Sequence, residues 1–126
     1  MTPEELKHRT KAFGLSVIKL VDQLPRARSA NVIGNQLLNC ATSVGANYRA
    51  ACRARSKAEF AAKLGVVEEE ADEAAYWLEI LTEGKIIPSS RTSTLLKEAD
   101  ELVAIVVASL ITAKRANQVD NRKSPV

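Results

Sequence analysis

Residues 56–84 read SKAEFAAKLGVVEEEADEAAYWLEILTEG, and this stretch decides the fold. Ser56 followed by Glu59 is the capping-box signature of a helix start. Phe60, Leu64, Val67, Ala71, Ala74, Leu78 and Leu81 then alternate in spacings of four and three, which lines them along one helical face. Gly84 stands where a C-terminal cap is expected, and Pro88 lies just beyond it. The stretch predicts one long helix over 57–83.

The same rhythm extends in both directions. Upstream, Thr2 is an expected N-cap, Pro3 fits the first turn and Glu5 completes a Thr-x-x-Glu box. Leu6, Thr10, Phe13, Val17, Leu20 and Leu24 share a face, and Pro25 stops a helix over about 3–24. Ser29 is the expected cap of a second helix, over 30–54, with Ala30, Ile33, Leu37, Cys40, Val44, Asn47 and Ala51 as its seam. Gly34 and Gly45 lie inside that helix at about 1 kcal/mol each relative to Ala, which close approach of another helix or a local bend would explain. Downstream, Leu95, Ala99, Leu102, Val106, Ser109 and Ala113 mark a helix over 90–116. Residues 117–126 read as a polar, frayed tail.

Four helices joined by short links predict an all-α, up-down-up-down four-helix bundle over 1–116. A strand at 102–111, suggested by its β-branched residues, would have no partner. The chain has 126 residues, the size of one domain that buries a core without disulfides or metal. Aromatic residues are only 4%, so Leu, Val, Ile and Ala must build that core. Cys40 and Cys52 lie about 18 Å apart along one helix and cannot bridge each other. Free thiols suit a reducing cytosol. The opening MTPEE carries no apolar run of a signal peptide, and the uncharged run 102–113 is too short to span a bilayer. A cytoplasmic protein is expected.

Apolar residues also fall outside the seams. Val103, Val107, Leu110 and Ile111 form a second stripe on the fourth helix. Trp77 and Ile80 add to it on the third, and Leu38 and Tyr48 on the second. Exposed together they would make an interface, so self-association is expected through these eight residues.

Most candidate chemistry fails on its own terms. The one His, His8, sits in a Glu5-x-x-His8 pair, the spacing of di-iron bundles, but such a site needs two of these motifs. Glu69-Glu70-x-x-Glu73 matches the Mg²⁺-binding helix of all-α nucleotide pyrophosphatases. The second motif those enzymes need is out of register in Glu98-Ala-Asp100-Glu101. No Gly-rich phosphate loop follows a strand, and nothing orders Ser, His and Asp into a triad. No catalytic residue, metal or cofactor is assigned.

Charge carries more. Residues 1–57 hold ten Lys/Arg against three Asp/Glu, residues 58–113 four against eleven, and the rest four against one. Arg49, Arg53, Arg55, Lys57 and Lys63 crowd the end of the second helix and the start of the third, beyond what helix-dipole complementarity needs. They are the candidate nucleic-acid-binding residues, suited to phosphates of RNA or DNA. Arg26 and Arg28 lie at the other end of the second helix. No exposed aromatic platform for stacking single strands is evident.

Three segments carry a resemblance. QLLNCATSVGANYRA at 36–50, FAAKL at 60–64 and EEADEAAYWLEIL at 69–81 resemble the four-helix-bundle family encoded in intervening sequences of bacterial 23S rRNA genes. The resemblance spans roughly residues 5–115. That family is similar in turn to the accessory variability protein of diversity-generating retroelements. The resemblance implies a ring-shaped homopentamer, a nucleic-acid ligand and a protein partner such as a reverse transcriptase. It implies no enzyme. The expected function is therefore non-catalytic binding of structured RNA or duplex DNA by an oligomeric bundle. A protein-interaction scaffold is the alternative, and a Mg²⁺-dependent nucleotide pyrophosphohydrolase a third reading.

Overall fold

A computed structural model describes residues 1–123, with side chains through Val119. Four helices follow in order: α1 (Pro3–Asp22), α2 (Arg28–Ala51), α3 (Lys57–Glu83) and α4 (Ser93–Lys123). A 3₁₀ turn at Ser89–Arg91 leads into α4, and the described residues contain no strand. Consecutive helices pack side by side, and α4 closes back on α1. Pro3 and Leu6 lie beside Ser109, Ala113 and Ala116, so α1 and α4 run antiparallel. No helix among the described residues is long and apolar enough to cross a membrane.

Most of the predicted seam residues form the core, while Asn47 and Ser109 are only half-buried and their neighbours Tyr48 and Leu110 take the buried places. Phe13, Val17, Leu37, Val44, Leu64, Leu78, Leu102 and Val106 are all fully or almost fully buried. Phe13 is the largest fully buried side chain, in a core built mainly of Leu, Val and Ala with Tyr48 as its other aromatic. Thr10, the polar member of the α1 seam, returns its hydroxyl to the Leu6 carbonyl at 2.9 Å. Gly45 confirms a close approach of helices: a Cβ there would stand 3.4 Å from the backbone of Thr10 and Lys11. Gly14 does the same from α1 toward Ala41. Gly34 instead makes room for the Leu24 and Val21 side chains.

Several helix ends differ from their expected form. Thr2 makes the full capping box with Glu5. Ser56 caps α3 by accepting from the Glu59 amide at 3.0 Å, but the Glu59 carboxylate reaches back to the Arg55 amide instead of closing the box. Ala27, not Ser29, is the N-cap of α2, and no side chain caps that end. α2 gives way to tight turns after Ala51, where Arg53 N–H bonds to Ala50 and Ala54 N–H to Ala51. α4 runs to Lys123, so residues 117–123 continue the helix; residues 124–126 of the expected tail lie outside the described residues.

The end of α3 departs most from its expected geometry. Gly84 keeps a φ of −75°, and Lys85 takes the left-handed conformation at φ 56°. Lys85 N–H bonds to Thr82 O and Ile86 N–H to Leu81 O, the paired pattern of a Schellman turn. A non-glycine residue in that conformation costs about 1 kcal/mol, so the glycine stands one position early for it. Gly84 is fixed by another need: a Cβ there would come within 2.8 Å of the Ile80 carbonyl.

The expected interface stripe is also revised. Tyr48 and Leu110 are core residues, 5% and 9% exposed. Leu38, Trp77 and Val103 are half-buried and pack against the core, because the α2, α3 and α4 core faces are wider than one seam. Val107 and Ile80 are half-buried, and Ile111 alone of the eight stands exposed, at 46%. The exposed apolar side chains lie elsewhere, at Leu15, Val32 and Tyr76 among others.

Candidate nucleic-acid interface

Antiparallel packing gathers four helix ends at one pole of the bundle. Met1 and Pro3 from the start of α1, Tyr48 from the end of α2, Lys57 and Phe60 from the start of α3, and Ala116 near the end of α4 border one hollow. Charges far apart in sequence therefore share a pole. Arg49, Arg53 and Arg55 come from the end of α2 and its turn, and Lys57 and Lys63 from the first turns of α3. Lys114 and Arg115, exposed on α4, arrive from the opposite end of the sequence.

These two are residues that local sequence reading missed. They belong to the basic tail by position, and only the up-down topology returns them to the α2–α3 turn. The antiparallel pattern was the signal that could have found them.

Among the described residues, Arg49, Arg53, Arg55, Lys63, Lys114 and Arg115 have no carboxylate within ion-pair distance. The acids nearby are engaged otherwise. Glu4 pairs with Lys7 at 3.0 Å and Glu59 holds the Arg55 amide at 3.1 Å. The pole thus presents net positive charge to solvent, where phosphate oxygens can accept from several cations at once. Arg49, Arg53 and Arg55 do not form one compact cluster. Arg55 and Lys57 edge a hollow with Pro3, Cys52 and Phe60. Arg49 looks across to α1, where it borders a groove with Lys7, His8 and Lys11. Lys63 is half-buried a turn further along α3. Arg26 and Arg28 lie at the opposite pole.

The acidic side of the molecule has a different character. Cys40 on α2 meets Glu70 and Glu73 on α3, their donor atoms all within 4.8 Å of one another. The Cys40 thiol lies against the Glu73 carboxylate and 2.9 Å from the Gln36 carbonyl. Burial, then the Glu73 hydrogen bond and charge, push that thiol up to about 12, so it is a protonated donor at neutral pH. Burial first, then Glu73 and Glu69, also raise the Glu70 carboxyl. The thiol hydrogen-bonded to the Glu73 carboxylate ties α2 to α3.

Two carboxylates of the expected second Mg²⁺ motif are engaged by an arginine. Glu98 accepts a bidentate pair from Arg9 at 2.6 and 2.7 Å, and Glu101 contacts the same guanidinium. This pair joins α1 to α4 and holds the Arg9 proton even more firmly than usual, chiefly through Glu98. Glu5 of the Glu5-x-x-His8 pair is held in its capping box, and His8 is exposed. Tyr76 is 51% exposed and edge-on to Trp77, 5.0 Å between ring centroids. It stands on α3 between Asp72, Glu73 and Glu79, where phosphates are repelled.

Comparison with known proteins agrees with this architecture. No functionally curated protein matches the chain. A crystal structure of a protein of unknown function from the S23 ribosomal protein family of Bacteroides thetaiotaomicron is similar, with a TM-score of 0.81 and 28% identity. The match covers 87% of this chain and 98% of that one. The sequence pattern of the 23S rRNA-intervening sequence protein family matches residues 4–108. The chain belongs to the 23S rRNA-intervening sequence protein family.

Proposed function

We propose that this protein binds structured RNA or duplex DNA without catalysis, through phosphate contacts at the cationic pole of the bundle. The observation that carries the reading is the convergence there of Arg49, Arg53, Arg55 and Lys63 with Lys114 and Arg115, none paired to a carboxylate among the described residues. Membership of a family defined by rRNA intervening sequences favours the same reading. The working unit is a homo-oligomer, a pentamer by the family resemblance. Val32 and Ile111, 55% and 46% exposed, are apolar surface that a second copy would cover. Symmetry would repeat the cationic pole around the assembly.

Nuclease-treated protein, its mass fixed by light scattering at a multiple of 13.7 kDa, is titrated into labelled structured RNA and duplex DNA at two salt concentrations. The expected result is affinity that falls steeply with salt, by about 0.9 in the log–log slope for each duplex phosphate neutralised. No binding at low salt would sink the reading and leave a scaffold whose ligand is a protein, the reverse transcriptase among the candidates.

A further inference from the structure

We infer that the groove between α1 and α2 is a pocket for one unpaired nucleotide of the bound strand, an inference that rests on the nucleic-acid reading above. The groove has a volume of about 540 Å³, within the usual range of small-ligand sites. Gly14 and Gly45 line its floor, where the backbones of the two helices come closest. Its two ends differ in chemistry. Lys11 and His8 on α1 face Arg49 on α2 at the end nearest the cationic pole. Leu15 and Ile18, 54% and 38% exposed, line the other end beside Thr42. The single acid bordering the groove, Glu4, is paired with Lys7.

A ligand complementary to this surface is anionic at one end and apolar and flat at the other. A nucleotide turned out of its helix fits that description. Its phosphate meets Lys11 and Arg49, and its base lies on Leu15 and Ile18 over the glycine floor. Arg49 links the groove to the pole, so a strand held by Arg53 and Arg55 passes the groove mouth. Unpaired nucleotides enter at low cost because no pairing must be broken first.

The test uses the full chain and two RNA hairpins, one fully paired and one carrying a single bulged 2-aminopurine. The protein should bind the bulged hairpin about tenfold more tightly, with a change in 2-aminopurine emission. Ala46→Leu, which fills the groove, and Leu15→Ser, which removes its apolar wall, are both at exposed positions. Each should abolish the tenfold difference while leaving affinity for the paired hairpin within about twofold. Equal affinity of the unmodified protein for both hairpins would overturn the pocket and leave phosphate binding standing. So would a preference that survives both substitutions, or a change in assembly mass, which would make the groove a subunit contact. Absence of salt-dependent binding to either hairpin would overturn both readings.

Discussion

Replacing Arg49 and Arg53 together with Glu lowers affinity for structured RNA by on the order of 1,000-fold at 50 mM salt and reduces the salt slope by about two. Two charge-assisted contacts at roughly 1.5–3 kcal/mol each set the scale, and charge reversal adds repulsion. Both side chains are exposed at the end of α2, and neither has an ion-pair partner among the described residues. The folded state therefore loses little, and thermal unfolding should be nearly unchanged. Arg26→Glu with Arg28→Glu, two equally exposed arginines at the opposite pole, is the control and should leave the slope in place. A lost slope in that control, or an intact one in the first variant, would move the interface away from the α2–α3 end.

Phe13→Ala is the expected worst substitution for stability. The ring is 2% exposed and lies on α1, the helix that approaches α2 closely across Gly14 and Gly45. Removing it costs about 3–5 kcal/mol, and backbones already in contact have little room to close the cavity. Against a total of roughly 5–15 kcal/mol, that is a large share, and the thermal midpoint should fall by about 10–20 °C. A fall of under about 5 °C would mean that the α1–α2 seam collapses to fill the space. Leu20, 6% exposed further along the same seam, gives the ordinary aliphatic comparison as Leu20→Ala.

The four seams were legible because the repeat of fours and threes is a direct consequence of helix geometry. Phe13, Leu37, Leu78 and Leu102 are all read from their spacing alone, and all are buried. Distinguishing a wide core face from an interface stripe was harder. Tyr48 and Leu110 sit one position off their seams, and whether that faces solvent depends on how each helix is rotated against two neighbours. Local pattern carries no record of that rotation. Capping was legible where side chain and backbone cooperate within four residues, as at Thr2 and Glu5. It failed at Lys85, where the left-handed turn falls one residue beyond the glycine that sequence rules favour.

The candidate site divides in the same way. Arg49, Arg53, Arg55, Lys57 and Lys63 are neighbours in sequence, so their density was visible there. Lys114 and Arg115 join them through chain topology, and Lys11 and His8 face Arg49 through the register of α1 against α2. Register of that kind is set here by the close contact at Gly45, which the sequence left as one of two explanations for a helical glycine. The acidic run at Glu68–Glu73 shows the converse. It matched a metal-binding pattern locally, yet Glu70 and Glu73 meet a thiol on α2, while Glu98 and Glu101 are taken by Arg9.

Lysine footprinting tests the cationic pole most directly. The protein is acetylated with and without saturating structured RNA, and each lysine is read by mass spectrometry. Lys57, Lys63 and Lys114 should be protected by RNA, while Lys19, Lys85 and Lys97, which the fold carries toward the other pole, should react equally in both samples. Protection of Lys19, Lys85 and Lys97 instead, or uniform reactivity of all six, would contradict a nucleic-acid interface at the α2–α3 end of the bundle.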